Sequence, residues 1–241
     1  RQDMIYKYAN LGYKTVMSNS SAFYFDIVDD KDLDNVGLSW SGYADYKDMW
    51  TVDVFDIFND TYGVEKNNIS KEYIESSEKL NPSNRDNIIG IQSQIWSETI
   101  RNEDILDYMF MPNIIVFSQK AWSKDPEWMK TSDKSKRELT LDYEWNKFTN
   151  TIGQRVLPII DNIYGGLSYD LPKPGGIIKN DSLYANSAFP GLNIKYTLDG
   201  SLPDNESLNY KNPVKLNQDD IVNLRLFDNK GRGGYPIQVD K

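Results

Sequence analysis

Gly90-Ile-Gln-Ser-Gln-Ile-Trp-Ser-Glu98 is the stretch whose reading decides the fold. Asn87 to Ile91, which leads into it, is an apolar run that reads as a buried strand, with Gly90 letting a neighbouring backbone approach closely. The run then changes character. Gln92 and Gln94 alternate with Ser93 and Ile95, then Trp96 and Glu98 follow, and Asn102-Glu-Asp opens a helix. In a strand-then-helix unit of a parallel barrel, the chemistry sits at the C-terminal end of the strand. A tryptophan face with a carboxylate two residues on suits a sugar there, the ring packing on its apolar face and the carboxylate accepting from hydroxyls. The same spacing also fits a core tryptophan followed by an acid at a helix N-terminus.

Upstream, Asp3 to Ala9 reads as the end of a helix, stopped by Asn10 and Gly12. A chain that opens inside a helix reads as a piece of something longer. Tyr13 to Met17 follows as a short buried strand, and beyond it Tyr24 and Asp26 stand two apart, on one face of an extended chain. A surface turn fits that spacing equally. Val36-Gly-Leu-Ser-Trp40-Ser-Gly then forms a loop rich in Asp and Gly, its tryptophan presented outward or folded back on the core. Val52, Phe55, Phe58 and Tyr62 have helical spacing, which predicts packing over Trp50–Tyr62. Ser70 caps a polar helix that reaches Leu80 and stops before Pro82.

Downstream, Leu106, Phe110, Ile114, Phe117 and Ala121 place one apolar stripe along a long helix from Asp104 to Trp122, kinked at Pro112. A further helix begins at Asp142, with Leu141, Trp145, Phe148, Ile152, Val156, Ile159 and Ile163 on one stripe, and stops at Gly165-Gly166. Leu171-Pro-Lys-Pro-Gly-Gly176 reads as a linker. Beyond it the texture changes to short strands and turns. Ile194 to Leu198 alternates and turns at Asp199-Gly200; Ile221 to Phe227 alternates again. This predicts a small β-sandwich.

Composition excludes several classes. Net charge is −9, with 36 acids against 27 bases, which argues against a nucleic-acid partner. No apolar run approaches the ~20 residues of a membrane span. With no Cys and no His, the chain has no thiolate chemistry, no Ser-His-Asp triad and no His-containing metal site. Acid–base work falls to carboxylates, Tyr or Lys. No metal or other cofactor is called for.

The stretch Gly90–Glu98, followed in order by Tyr108-Met109, Pro112 and Ala121-Trp122-Ser123, resembles the last strand and helix of the family 20 glycoside hydrolases, the β-N-acetylhexosaminidases and chitobiases. Tyr24-x-Asp26 resembles that family's Tyr-x-Asp signature, and Val36–Gly42 its tryptophan-bearing loop. Tyr196-Thr-Leu-Asp-Gly-Ser-Leu-Pro203 resembles a run characteristic of the chitobiase C-terminal domain. The resemblance implies an α/β fold: residues 1–168 as the last strands and helices of a TIM (β/α)8 barrel, then residues 169–241 as an immunoglobulin-like β-sandwich. It also implies roles. Tyr24 is catalytic, its hydroxyl bonding the substrate's acetamido group. Asp26 and Glu98 bind ring hydroxyls, Trp96 walls the pocket, and Trp40 meets the sugar on the leaving-group side.

In that family the substrate's own 2-acetamido oxygen attacks the anomeric carbon, and an upstream Asp-Glu pair orients the acetamide and supplies the general acid. This chain contains no Asp-Glu dipeptide; Glu103-Asp104 has the reverse order and suits a helix N-terminus. The expected partners are therefore an N-acetylhexosamine-terminated oligosaccharide and an upstream portion of the same enzyme, with no nucleic acid and no membrane span. The expected location is secreted, periplasmic or lysosomal. A non-catalytic carbohydrate-binding or interaction fragment is the other class that the sequence allows.

Overall fold

The computed structural model describes residues 3–31, 35–59 and 68–240. The chain forms two compact units, residues 1–138 and 139–241.

The first unit is organised on two parallel strands. Helix α1 (Met4–Asn10) buries Tyr6 and Ala9. The Tyr6 hydroxyl accepts from the Ile57 N–H at 2.8 Å and donates to the Val54 carbonyl at 3.2 Å. Gly12, at φ 93°, turns the chain into β1 (Thr15–Met17). This strand is less buried than its apolar run predicts: Met17 faces inward while Tyr13 and Val16 are exposed. A crossover is required to bring a parallel partner alongside, and here it contains α2 (Ser20–Phe23), α3 (Tyr46–Thr51) and α4 (Lys71–Ser76). Strand β2 (Ile88–Ile91) then lies beside β1, with Val16 opposite Gly90 and Met17 opposite Ile91. Among the described residues the close backbone approach expected at Gly90 is not found: a Cβ there would meet none of their atoms within 4 Å.

Three further expectations in this unit are corrected. The helical spacing of Trp50–Tyr62 does not make a helix. Helix α3 carries an Asp45/Asp48 capping box and ends at Thr51, after which Asp53 and Asp56 accept from the N–H groups of Phe55 and Phe58. Short acidic side chains that bond nearby backbone favour turns over helix; Tyr62 itself lies outside the described residues. Ser70 caps α4 as expected, accepting from the Tyr73 N–H, but the helix ends at Ser76 because Ser76 and Ser77 bond back to the Tyr73 carbonyl. The single kinked helix is two helices, α5 (Glu103–Phe110, capped by Asn102) and α6 (Asn113–Trp122). Pro112 drives Met111 into extended geometry (φ −105°, ψ 134°), so the chain breaks where a kink was expected.

Helix α7 (Lys134–Thr151) starts eight residues ahead of the expected Asp142, since Asp133 accepts from the Lys136 N–H and starts the helix there. A π turn over Ile152–Val156 and a short helix α8 (Leu157–Ile160) continue it. Pro158 has no N–H to return to the preceding turn, which accounts for the local change of pitch. The helix ends at Ile160, five residues short of the expected stop; Gly165 and Gly166, both at positive φ, instead close a separate short 3-10 segment, Ile163–Gly165.

The rest of the second unit is two antiparallel sheets. One contains β3 (Gly175–Lys179), β4 (Ser182–Asn186) and β7 (Val214–Lys215). The other has the order β6 (Leu208–Asn209), β5 (Asn193–Thr197), β8 (Val222–Phe227) and β9 (Ile237–Val239). Leu183 from the first sheet and Val222, Leu224 and Val239 from the second share one core, so the sheets pack face to face. Leu171 is buried and Gly175-Gly176 already belong to β3, so the expected linker is in part structure. The alternation expected over Ile221–Phe227 also fails, because β8 is covered on both faces. The Asn223 amide donates to the Gly200 and Ser201 carbonyls, and the Arg225 guanidinium donates to those of Gly234, Gly233 and Pro203.

Gly153 makes the tightest approach in this unit: a Cβ there would stand 2.1 Å from the Pro190 carbonyl oxygen and 2.9 Å from the Phe189 carbonyl carbon. Both are backbone and cannot rotate aside. Gly153→Ala should destabilise the unit by about 1–3 kcal/mol despite alanine's better helix propensity, measured as a lower denaturation midpoint. An unchanged midpoint would show that the close approach is absent in solution.

Candidate functional site

The corner is built from three segments of the first unit. Phe23 and Phe25 are both buried, and their rings meet Phe117 edge-on at 5.8 and 6.1 Å, with Phe110 also 6.1 Å from Phe25. The apolar stripe of α5 and α6 therefore grips the residues on either side of Tyr24. Tyr24 itself forms a parallel bridge with Gln94. Its ring turns the other way, to Trp40 at 6.0 Å and Trp96 at 6.3 Å.

Asp26 ties the segments together. Its carbonyl accepts from the Leu38 N–H at 2.7 Å, and the Val28 N–H donates to the Leu38 carbonyl at 3.0 Å. That pairing brings the Trp40 loop in. It demands glycine at position 37, where a Cβ would stand 2.7 Å from the Asp26 carbonyl oxygen. The Asp26 side chain then accepts from the Trp96 N–H at 3.3 Å, fixing the third segment.

The electrostatics are uneven. Asp26 is 1% exposed, and its Oδ2 is buried with no hydrogen-bond partner among the described residues. Burial raises its carboxyl above the usual carboxylate range, the Trp96 N–H opposes this, and the charge of Glu98 adds to the rise. Trp40 is 64% and Trp96 50% exposed, so two indole faces stay open to solvent beside the buried acid. The corner thus combines a buried carboxylate oxygen that lacks a partner among the described residues with two solvent-facing indoles, groups of the kinds that meet hydroxyls and apolar faces.

All five residues singled out in the sequence thus enter one corner: Tyr24, Trp40 and Trp96 by ring contact, Asp26 by its bond to Trp96, and Glu98 through its charge on Asp26. No sequence signal marked Ser41 and Thr99, next to Trp40 and Glu98, whose hydroxyls are buried without partners among the described residues. The described residues contain no group of three or more Asp and Glu placed to hold a metal ion. No described helix is long and apolar enough to cross a membrane.

With this geometry in hand, comparison with known proteins is decisive. The catalytic-domain model of glycosyl hydrolase family 20 matches residues 1–125, and that of the chitobiase/beta-hexosaminidase C-terminal domain matches residues 157–234. The chain belongs to glycosyl hydrolase family 20. A Vibrio vulnificus beta-hexosaminidase is 28% identical over 98% of the chain, and a Vibrio harveyi N,N'-diacetylchitobiase is 28% identical over 81%. The chain spans 29% and 22% of those two relatives. The family 20 exo-β-N-acetylglucosaminidase of Vibrio harveyi, solved with N-acetylglucosamine, aligns with 61% of the chain and 19% of its own length, at 17% identity and a TM-score of 0.39.

The charge coupling in this family 20 corner is measurable. Glu98→Gln should lower the pKa of Asp26, read by carboxyl-carbon NMR titration. Because the folded value is raised, protonated Asp26 stabilises the fold, and that stability is lost as pH rises through the raised value. The stability of the wild type relative to Asp26→Asn should accordingly fall with rising pH across that window. A flat difference would mean that Asp26 is not desolvated.

Proposed function

We propose that this chain is the C-terminal portion of a β-N-acetylhexosaminidase. In this reading, residues 1–168 are the last strands and helices of a (β/α)8 barrel, and residues 169–241 are its immunoglobulin-like β-sandwich. The enzyme removes terminal N-acetylhexosamine from chitobiose, chito-oligosaccharides or glycans, with retention and with the substrate's acetamide as nucleophile. The observation that carries this reading is the corner itself: Tyr24, Trp40 and Trp96 converge on a buried Asp26 that has one free carboxylate oxygen.

The roles follow from the chemistry of each group. Tyr24 donates to the acetamide oxygen as the oxazolinium-like ring forms, a bond that strengthens in the transition state and so counts toward rate. Asp26 Oδ2 and the more exposed Glu98 accept from ring hydroxyls. Trp96 walls the pocket, and Trp40 extends it toward the leaving group. The Asp-Glu pair that orients the acetamide and protonates the leaving oxygen comes from an upstream portion of the enzyme, as a separate or cleaved chain. Location with the secreted, periplasmic or lysosomal hexosaminidases follows from the same reading.

Denaturing intact-mass analysis of the natural protein, followed by assay on a chromogenic N-acetyl-β-hexosaminide, tests this. Activity should accompany a polypeptide that carries an Asp-Glu pair, and this chain alone should be inactive; hydrolysis by the chain alone would overturn the proposal. In the active species, Tyr24→Phe should lower kcat by on the order of 10²-fold, whereas a change confined to KM would remove Tyr24 from the transition state. Trp40→Ala should impair chitobiose more than a monosaccharide glycoside, as initial-rate comparison on the two substrates would reveal.

A further inference from the structure

Gln94 lies in the stretch that decides the fold, yet none of the roles above uses it. Its backbone brackets Tyr24: the Gln94 N–H donates to the Phe23 carbonyl at 3.3 Å, and its carbonyl accepts from the Phe25 N–H at 2.8 Å. Residues paired across a parallel bridge project to the same face of the sheet, so Gln94 stands beside Tyr24. Trp96, two residues on, shares that side, as its 6.3 Å contact with the Tyr24 ring shows.

The side chain is oriented as well as placed. The half-buried Ser18 hydroxyl, just beyond β1, donates to Gln94 Oε1 at 2.5 Å. With its oxygen end engaged, the amide directs its two N–H donors away from Ser18, and these have no partner among the described residues. The two carboxylates of the corner, Asp26 and Glu98, are acceptors when charged, and a neutral ligand with both hydroxyl and amide oxygens needs donors beyond the one phenol of Tyr24.

We propose that Gln94 is a further substrate-binding residue, its amide nitrogen donating to an acceptor oxygen of the N-acetylhexosamine, and that Ser18 is the positioning residue that holds it. This rests on the corner being the sugar site, and the test separates the two. Gln94→Glu keeps an oxygen for Ser18 but replaces the donor with an acceptor, so a merely structural Gln94 would tolerate it.

The experiment is a titration of the full protein with N-acetylglucosamine, followed by the fluorescence of its exposed tryptophans. Gln94→Glu should bind about tenfold more weakly, the equivalent of one lost neutral hydrogen bond. Ser18→Ala should weaken binding by a smaller factor, and Ser18→Thr, which keeps the hydroxyl, should restore it. No saturable change in the wild type would overturn the sugar-site reading and this proposal with it. Saturation by the wild type with equal affinity in Gln94→Glu would overturn the role of Gln94 alone. Should Gln94→Glu fail to fold by circular dichroism, the Ser18 pair decides: Ser18→Ala binding as tightly as the wild type would overturn the proposal.

Discussion

The bond from the Trp96 N–H to the Asp26 carboxylate is the constraint on which the rest of the corner depends. Asp26 is held from both sides, its carbonyl by the Leu38 N–H and its side chain by Trp96, so one residue registers three segments far apart in sequence. Remove the side-chain bond and the Gln94 backbone still pairs with Phe23 and Phe25, but Trp96 itself loses its polar anchor to the residue that holds the Trp40 loop. The bond also fixes the chemistry, because it occupies one carboxylate oxygen and leaves the other buried and unsatisfied. A charged group in that state is costly to keep without a ligand and gains correspondingly when one arrives.

Aromatic packing explains how such a group is tolerated. Phe23 and Phe25 lock into Phe110 and Phe117 on one side of the chain, while Tyr24 and Asp26 face the other. The alternation of this short segment therefore separates a dry core from a polar corner within four residues. Edge-on ring pairs contribute on the order of 0.5–1.5 kcal/mol each beyond burial. Three of them around one segment make the backbone at Tyr24 stiff, which an oriented phenol needs if its donor is to be preorganised.

Much of this was legible in the sequence, for a physical reason. Tyr24 with Asp26, and Trp96 with Glu98, are local patterns, and near neighbours in sequence stay close even where the chain turns, as it does at Phe25-Asp26 and at Ser97–Thr99. What stayed hidden was non-local. Nothing near Gly37 announces that its neighbour in space is the Asp26 carbonyl, and nothing near Ser18 announces Gln94. The helix readings failed where a short polar side chain outcompeted periodicity. Asp53 and Asp56 made turns from a helical stripe, and Asp133 began α7 early. Pro112 was visible throughout; its break with Met111 extended was the outcome that spacing could not distinguish from a kink.

On the proposed reading, the corner holds the sugar and leaves proton transfer to other groups. Its one strongly desolvated acid, Asp26, is bonded by a backbone N–H and sits beside a second carboxylate. A general acid must release its proton to a leaving oxygen and recover it, which requires access to that oxygen. Asp26 is anchored by the Trp96 N–H, so its geometry suits a fixed acceptor. Glu98 is open to solvent, where its oxygens are placed to accept from hydroxyls. On the proposed reading this division of labour is physically economical. The residues that recognise the sugar are rigid and interlocked in one unit, while the pair that drives bond cleavage is carried elsewhere in the enzyme and meets them only across the bound substrate.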